Sequence, residues 1–353
     1  MENTVIINST GNATPGASKV LSDALKVPQD YILKLLYNAP SVLFQKVDEN
    51  TALKAEDTLT KLGLDVSICK EDDTIDLTTE LVDISISLDD ILKLPIVTQQ
   101  LATFLGCKQS EVLNLMLNEP SIVLGNVSVA TAEALQKRTD ANVHFSNPRK
   151  DRYTILISKE AENIQIKSIE KLLKASAFSK DDAYVFEDVS YDSSQLLWRQ
   201  YQSNKAVKLL NQSHQLVTIM LNDFDVDNEK HIAFLVEKVG MPKEILEDIY
   251  KALPIVLFEN TNRKKAETIL NECSEIGLTT TIEKDFNFKK RLHVKDITDI
   301  EKVNKILGQF IGQENLPKVG MTNWTSKEEV PPLIARYLYV QLERIACNPE
   351  IIN

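Results

Sequence analysis

A block that recurs along the chain constrains its fold more than any other feature. In residues 241–284 a helical run stops at Pro254, the apolar run Val256-Leu257-Phe258 follows, a second helix reaches Gly277, and an alternating strand closes the block. Residues 28–69 repeat this order with no gap. Pro28 and Pro40 lie 12 positions apart, as do Pro242 and Pro254, while Val42-Leu43-Phe44 lies over Val256-Leu257-Phe258 and Gly63 over Gly277. Residues 106–145 give a third copy, in which Pro120 precedes Ile122-Val123-Leu124 and Ala132 falls at the spacing of Ala52 and Ala266. Self-similarity at a fixed period marks an array of one supersecondary unit.

The physical logic of the unit is local. Proline removes a backbone donor and drives its predecessor out of the α region, so the helix ends there. The apolar triplet behind it is too short for a helix and suits a buried strand. Asp48, Ser128 and Thr261 stand where the next helix opens and can accept hydrogen bonds from its free N–H groups. Gly63 and Gly277 end that helix, where a left-handed residue is needed. The strands after them alternate (Leu64, Val66, Ile68; Leu278, Thr280, Ile282), as a sheet covered on one face requires.

These residues resemble the C-terminal domain of the bacterial ribosomal stalk protein. That family has a glycine before its middle helix, matched by Gly106 and Gly240, and an Ala-Pro pair, matched by Ala39-Pro40. Its Val-Ser, alanine and late glycine are matched by Val127-Ser128, by Ala52, Ala132 and Ala266, and by Gly63 and Gly277. Residues 215–223 (QLVTIMLND) also resemble the Clp-protease adaptor family, which shares the fold. The resemblance implies an α+β fold: a tandem array of βααβαβ sandwich modules, each with helices on one face of a three-stranded antiparallel sheet. It speaks to fold more than to function.

The expected modules are residues 1–74, 75–150, a degenerate third copy at 151–214, and 215–288. Residues 289–353 read as a partial module followed by a C-terminal helix at 333–346. Residues 70–74 and 147–151 read as linkers. In the third copy the spacing predicts a helix over 164–178, a short strand near 183–186, and a long helix from Ser190 or Asp192 to about Gln212. The stretch 316–330 reads as an irregular loop.

Composition narrows function. A net charge of −11 over 353 residues argues against a broad nucleic-acid or anionic-membrane surface. The four cysteines (Cys69, Cys107, Cys273, Cys347) form no CxxC pair, which suits a reducing compartment. The opening residues lack a basic segment followed by an apolar core, and no apolar run has the length of a membrane span. The expectation is a cytoplasmic protein.

Candidate sites are few. Asp223, Asp225 and Asp227 alternate as in a calcium loop, but Asn228 and Phe234 occupy the positions where that loop needs glycine and glutamate. The stretch reads instead as a strand-to-helix turn with a capping aspartate. His144, His214, His231 and His293 have no partner at metal or triad spacing, and no glycine-rich phosphate loop occurs. No enzyme activity, cofactor or metal is expected, and a small-molecule ligand is not expected either. The stalk resemblance implies basic positions that fall near Ala233, Val236 and Glu244, where the charge is missing or reversed. The adaptor resemblance implies that Asn222 and Asp223 hold an N-terminal amine. Tyr337, Tyr339 and Leu342 are candidate partner contacts on the C-terminal helix, with Trp198 and Tyr201 as further helical aromatics. The expected function is a protein-interaction scaffold or a structural subunit of a larger assembly. The alternatives are an adaptor delivering substrates to a Clp-type protease and a translation-associated factor.

Overall fold

A computed structural model describes residues 2–70, 73, 77–118, 120–161, 164–284, 286 and 289–352. Most of the linker expected at 70–74 therefore lies outside the described residues. The fold is mixed α+β, with five small antiparallel sheets. The first module runs β1 (Asn3–Ser9), α1 (Gly16–Leu25), α2 (Gln29–Tyr37), β2 (Ser41–Val47), α3 (Glu49–Lys61) and β3 (Asp65–Lys70). The second runs β4 (Leu81–Ser87), α4 (Leu94–Leu105), α5 (Gln109–Met116), β5 (Ile122–Ser128), α6 (Val129–Gln136) and β6 (Asn142–Ser146). The third runs β7 (Arg152–Ser158), α7 (Ile166–Leu173), β8 (Phe178–Lys180), β9 (Ala183–Ser190), α8 (Tyr191–Tyr201) and β10 (Val207–Asn211). The fourth runs β11 (Leu216–Asp223), α9 (Glu229–Ala233, continued by a π turn at Phe234–Lys238), α10 (Leu246–Lys251), β12 (Ile255–Asn262), α11 (Arg263–Ile276) and β13 (Thr279–Glu283). The fifth runs β14 (Arg291–Lys295), α12 (Ile300–Leu307), β15 (Trp324–Thr325), α13 (Pro332–Glu343) and β16 (Asn348–Ile352).

One strand order serves all five. The first strand of each module lies between the two that follow the helices: β2-β1-β3, β5-β4-β6, β12-β11-β13 and β15-β14-β16, with β10-β7-β9 extended by β8. Four modules share a finer device. Lys46, Asn126, Asp188 and Asn260 have positive φ (56°, 57°, 55° and 50°), each two residues before a helix N-cap. Each sits at a register shift against the central strand, for example between Val217↔Thr261 and Ile219↔Phe258. This is a β-bulge: one extra residue bends the strand and hands the chain to the helix. Asn and Asp fill three of the four places because a short polar side chain tolerates the left-handed region. The caps then follow. Asp48, Ser128, Ser190 and Asn262 accept from the N–H groups of Thr51, Thr131, Ser193 and Lys264. The fourth module caps through Asn262, one residue beyond the expected Thr261. Gly63 closes α3 at φ 90°, and a Cβ there would lie 2.8 Å from the Ala13 nitrogen, so both conformation and space require glycine.

The chain divides into two compact units. One comprises residues 1–148 and 289–353, the other residues 149–288. In the first unit, the second and fifth modules share one apolar core that includes Val97, Leu101, Leu292, Val303, Leu338 and Leu342. The region expected to hold a partial module thus builds a complete three-stranded sheet, and α13 is part of its core. Two candidate contacts are corrected by this. Leu342 is fully buried, and Tyr337 is buried with its ring edge-on to Phe310 at 5.8 Å, so neither presents a surface to a partner. Tyr339 is half-buried. The first and second modules meet through Thr131, whose hydroxyl donates to the Tyr37 carbonyl at 2.8 Å, and Arg138, which donates to the Ala13 carbonyl at 2.8 Å. Arg138 also lies 4.9 Å over the Phe104 ring, on which Tyr37 stacks. Burial, with Cys107 nearby, raises the Tyr37 phenol above its ordinary range.

In the second unit, β11 alternates between buried (Val217, Ile219, Leu221) and half-buried (Leu216, Thr218, Met220, Asn222) positions. By contrast, β7 is buried on both faces from Tyr153 to Ile157. Tyr153, Ile155 and Ile157 pack with Ile169, Leu173 and Leu197 under the helices. On the other face Leu156, Val185 and Leu210 pack against Phe286, which follows β13. Here the expected long helix is also corrected. It ends at Tyr201, and Val207–Asn211 pairs with β7 as an edge strand. The helix expected over 164–178 ends at Leu173, and Phe178 begins β8.

Candidate functional site: a cavity beside two sheet edges

The second unit contains a cavity of about 620 Å³. Its lining comes from distant stretches: Phe178 and Lys180 on β8, Glu187 on β9, Arg263 and Glu267 on α11, Ile282 and Glu283 on β13, then Lys284 and Phe286. Local sequence places each group. The hairpin joining β8 to β9 turns at Asp181, which has φ 48°, and so brings Lys180 opposite Ala183. The Asn262 cap starts α11, and its amide donates to the Ser213 carbonyl at 3.0 Å. Arg263 donates to the Gln212 side chain, fixing the helix start against the turn that joins the third and fourth modules.

The charges in the cavity are mostly matched. Lys284 meets Glu187 at 2.7 Å, and Arg263 meets Glu267 at 3.0 Å. Lys180 donates to the Lys284 carbonyl at 2.6 Å and lies 5.3 Å from the Phe286 ring centre. Among the described residues neither Lys180 nor Glu283 has an ionic partner. Phe178 is 45% exposed and offers an apolar wall. Among the described lining residues there is no histidine, cysteine or serine, so a relay from hydroxyl or thiol to imidazole has no parts here. What the arrangement offers is one cation, one carboxylate and aromatic surface, which is the chemistry of recognition.

The residues singled out from sequence lie elsewhere. The Asn222 amide donates to the Thr281 hydroxyl at 2.9 Å across the sheet, and Asp223 is exposed at the end of β11. Neither lines the cavity. In the acidic turn beyond them, the Asp225 carboxylate accepts from the Asp227 N–H at 2.9 Å. The cap of α9 is Asn228 rather than an aspartate. His231 is buried and ties that turn down: its Nδ1 accepts from the Asp225 N–H at 3.0 Å, and its Nε2 bonds the Ile276 carbonyl at 2.8 Å. His144 and His293 bond the hydroxyls of Ser87 and Thr325, each at 2.7 Å, and His214 is buried. Among the described residues no three His, Cys, Asp or Glu side chains converge as metal ligands. No described helix is long and apolar enough to cross a membrane. Comparison with family models, with curated proteins and with solved structures finds no match to this chain.

Proposed function

We propose that the chain is a non-enzymatic scaffold that binds proteins through an array of stalk-domain-like modules. The observation that most supports this reading is the repetition itself: one strand order is built five times, and the sheets differ in how their faces and edges are finished. Tandem modules let several weak contacts add through effective concentration. His231 ties down the acidic turn, and His144 and His293 bond hydroxyls across their sheets, which supports this reading over a catalytic one. The adaptor alternative draws less support, because the Asn222 amide is engaged by Thr281 and Asp223 stands outside the cavity.

The test is crosslinking of the tagged full chain in extract of its source organism, with partner-to-chain ratios measured by mass spectrometry. A small set of proteins at fixed ratio is expected, and it should shrink when the exposed Leu196 and Trp198 are replaced by glutamate. Truncating the C-terminal helix is the wrong variant, since it would remove Leu338 and Leu342 from the core. Recovery of no protein at fixed ratio overturns the reading. Recovery of a Clp chaperone or of translation GTPases alone would overturn it in favour of those alternatives.

A further inference from the structure

Two strands that line the cavity are also the last strands of their sheets: β8 ends the order β10-β7-β9-β8, and β13 ends the order β12-β11-β13. An edge strand presents a row of main-chain donors and acceptors that another extended chain can pair with. Proteins blunt such edges with proline, bulges or inward charges, or cover them. In β13 the sequence is Thr279-Thr280-Thr281-Ile282-Glu283, with no proline and one charge, at its end. Its register against β11 runs without a shift from Thr280 to Glu283. The edge is straight, β-prone and short of charge.

We propose that an extended peptide adds as a strand along β13 inside this cavity. Its apolar side chain rests on Phe178, Ile282 and Phe286, and its carboxylate pairs with Lys180. This deepens the scaffold reading and rests on it. Main-chain pairing along an edge supplies affinity in this mode of recognition, and the side-chain pockets supply selectivity. A cavity of about 620 Å³ is within the size range of ligand pockets and suits a few residues of a peptide. Charge fixes the direction. Among the described lining residues the pairs Lys284–Glu187 and Arg263–Glu267 cancel, which leaves Lys180 to attract an acidic group and Glu283 to repel one. The bound segment therefore carries its acid at the Lys180 end and none beside Glu283.

The experiment uses the full chain and a displayed library of random eight-residue peptides, with the best binder resynthesised and followed by fluorescence anisotropy. Selected peptides should alternate β-branched or aromatic residues and carry one Asp or Glu. Lys180→Glu should weaken binding about tenfold or more, and Lys180→Arg should retain it. Methylating alternate backbone nitrogens of the peptide should abolish binding. The melting temperature of each protein variant is measured alongside, so that a loss of fold is not read as a loss of binding. No enriched peptide, binding indifferent to Lys180→Glu or to N-methylation, or full competition by free phenylalanine would each overturn the proposal. If Lys180→Glu still recovers the partners from extract at fixed ratio, the scaffold reading stands while this site does not.

Discussion

The sheets of the third and fourth modules have the same strand order and finish their second faces in opposite ways. In the third, Leu156, Val185 and Leu210 form an apolar face closed by Phe286, a residue supplied from the fourth module, just after β13. In the fourth, the equivalent face carries Thr218, Met220 and Thr281, with Val256 43% exposed, and water or a partner can reach it. The third module thus depends on its neighbour for part of its core, whereas the fourth keeps its core to itself. A repeat array is usually treated as a sum of unit stabilities and nearest-neighbour terms. Here the apolar part of the neighbour term, among the described residues, runs through Phe286.

That contrast can be broken by substitution. Leu156→Ala should destabilise the second unit by about 3 kcal/mol, and Met220→Ala, its counterpart on the open face, by about 0.5 kcal/mol, as read by urea denaturation. Equal effects would mean that the two faces are finished alike. Next in size is His231→Ala, which strips the Asp225 N–H and the Ile276 carbonyl of their partner. It should cost about 2 kcal/mol, with amide exchange rising first around Asp225. The bulges offer a control that should not distinguish the modules. Valine at either Asp188 or Asn260 is forced into the left-handed region and should cost about 1–2 kcal/mol, while glycine at either should be near neutral. A further substitution, Glu187→Gln, removes the partner of a partly exposed lysine and should cost about 0.5 kcal/mol, falling further in salt.

The smallest effect is a pH dependence that separates these modules from others. Hydrogen bonds from Thr51 lower the Asp48 carboxyl below its usual range, and those from Lys302 lower Asp299. A depressed carboxyl stabilises above its unfolded pKa, and that contribution is lost as pH falls through the folded value. The N–H signals of Thr51 and Lys302 should therefore shift on acidification below the ordinary aspartate range. Those of Ser193 and Lys264, capped by Ser190 and Asn262, should hold.

Legibility in the sequence followed how local each cause is. Pro40 and Pro254, Gly63 and Gly277, and the apolar triplets act on their neighbours alone, so they marked the first, second and fourth modules. Asp48 and Ser128 cap where their residue types suggest. The third module misled because Val207 and Leu210 fit the helical spacing set by Leu197 and Tyr201. What makes the segment a strand is tertiary: Val207 packs under the helices, and Leu210 joins the face closed by Phe286. The fifth sheet was hidden by its edges, since β15 has two residues and β16 contains Pro349. Tyr337 looked like a contact because aromatic residues suit interfaces and cores alike, and only packing tells them apart. The cavity was invisible for a plainer reason. Its residues run from Phe178 to Phe286, and no spacing rule connects them.

The strand order also sets a timetable. In every module the central strand leaves the ribosome first and has no neighbour until the strands behind its helices follow. A sheet is complete once its third strand is out, and domains generally fold as units during synthesis, N-terminal first. The first and fourth modules can settle on their own schedule. The third cannot: all four of its strands are made by Asn211, yet the ring that seals its second face is Phe286. Throughout synthesis of the fourth module, Leu156, Val185 and Leu210 wait uncovered. A ribosome stalled inside that interval would hold a chain whose third module is sticky on one side.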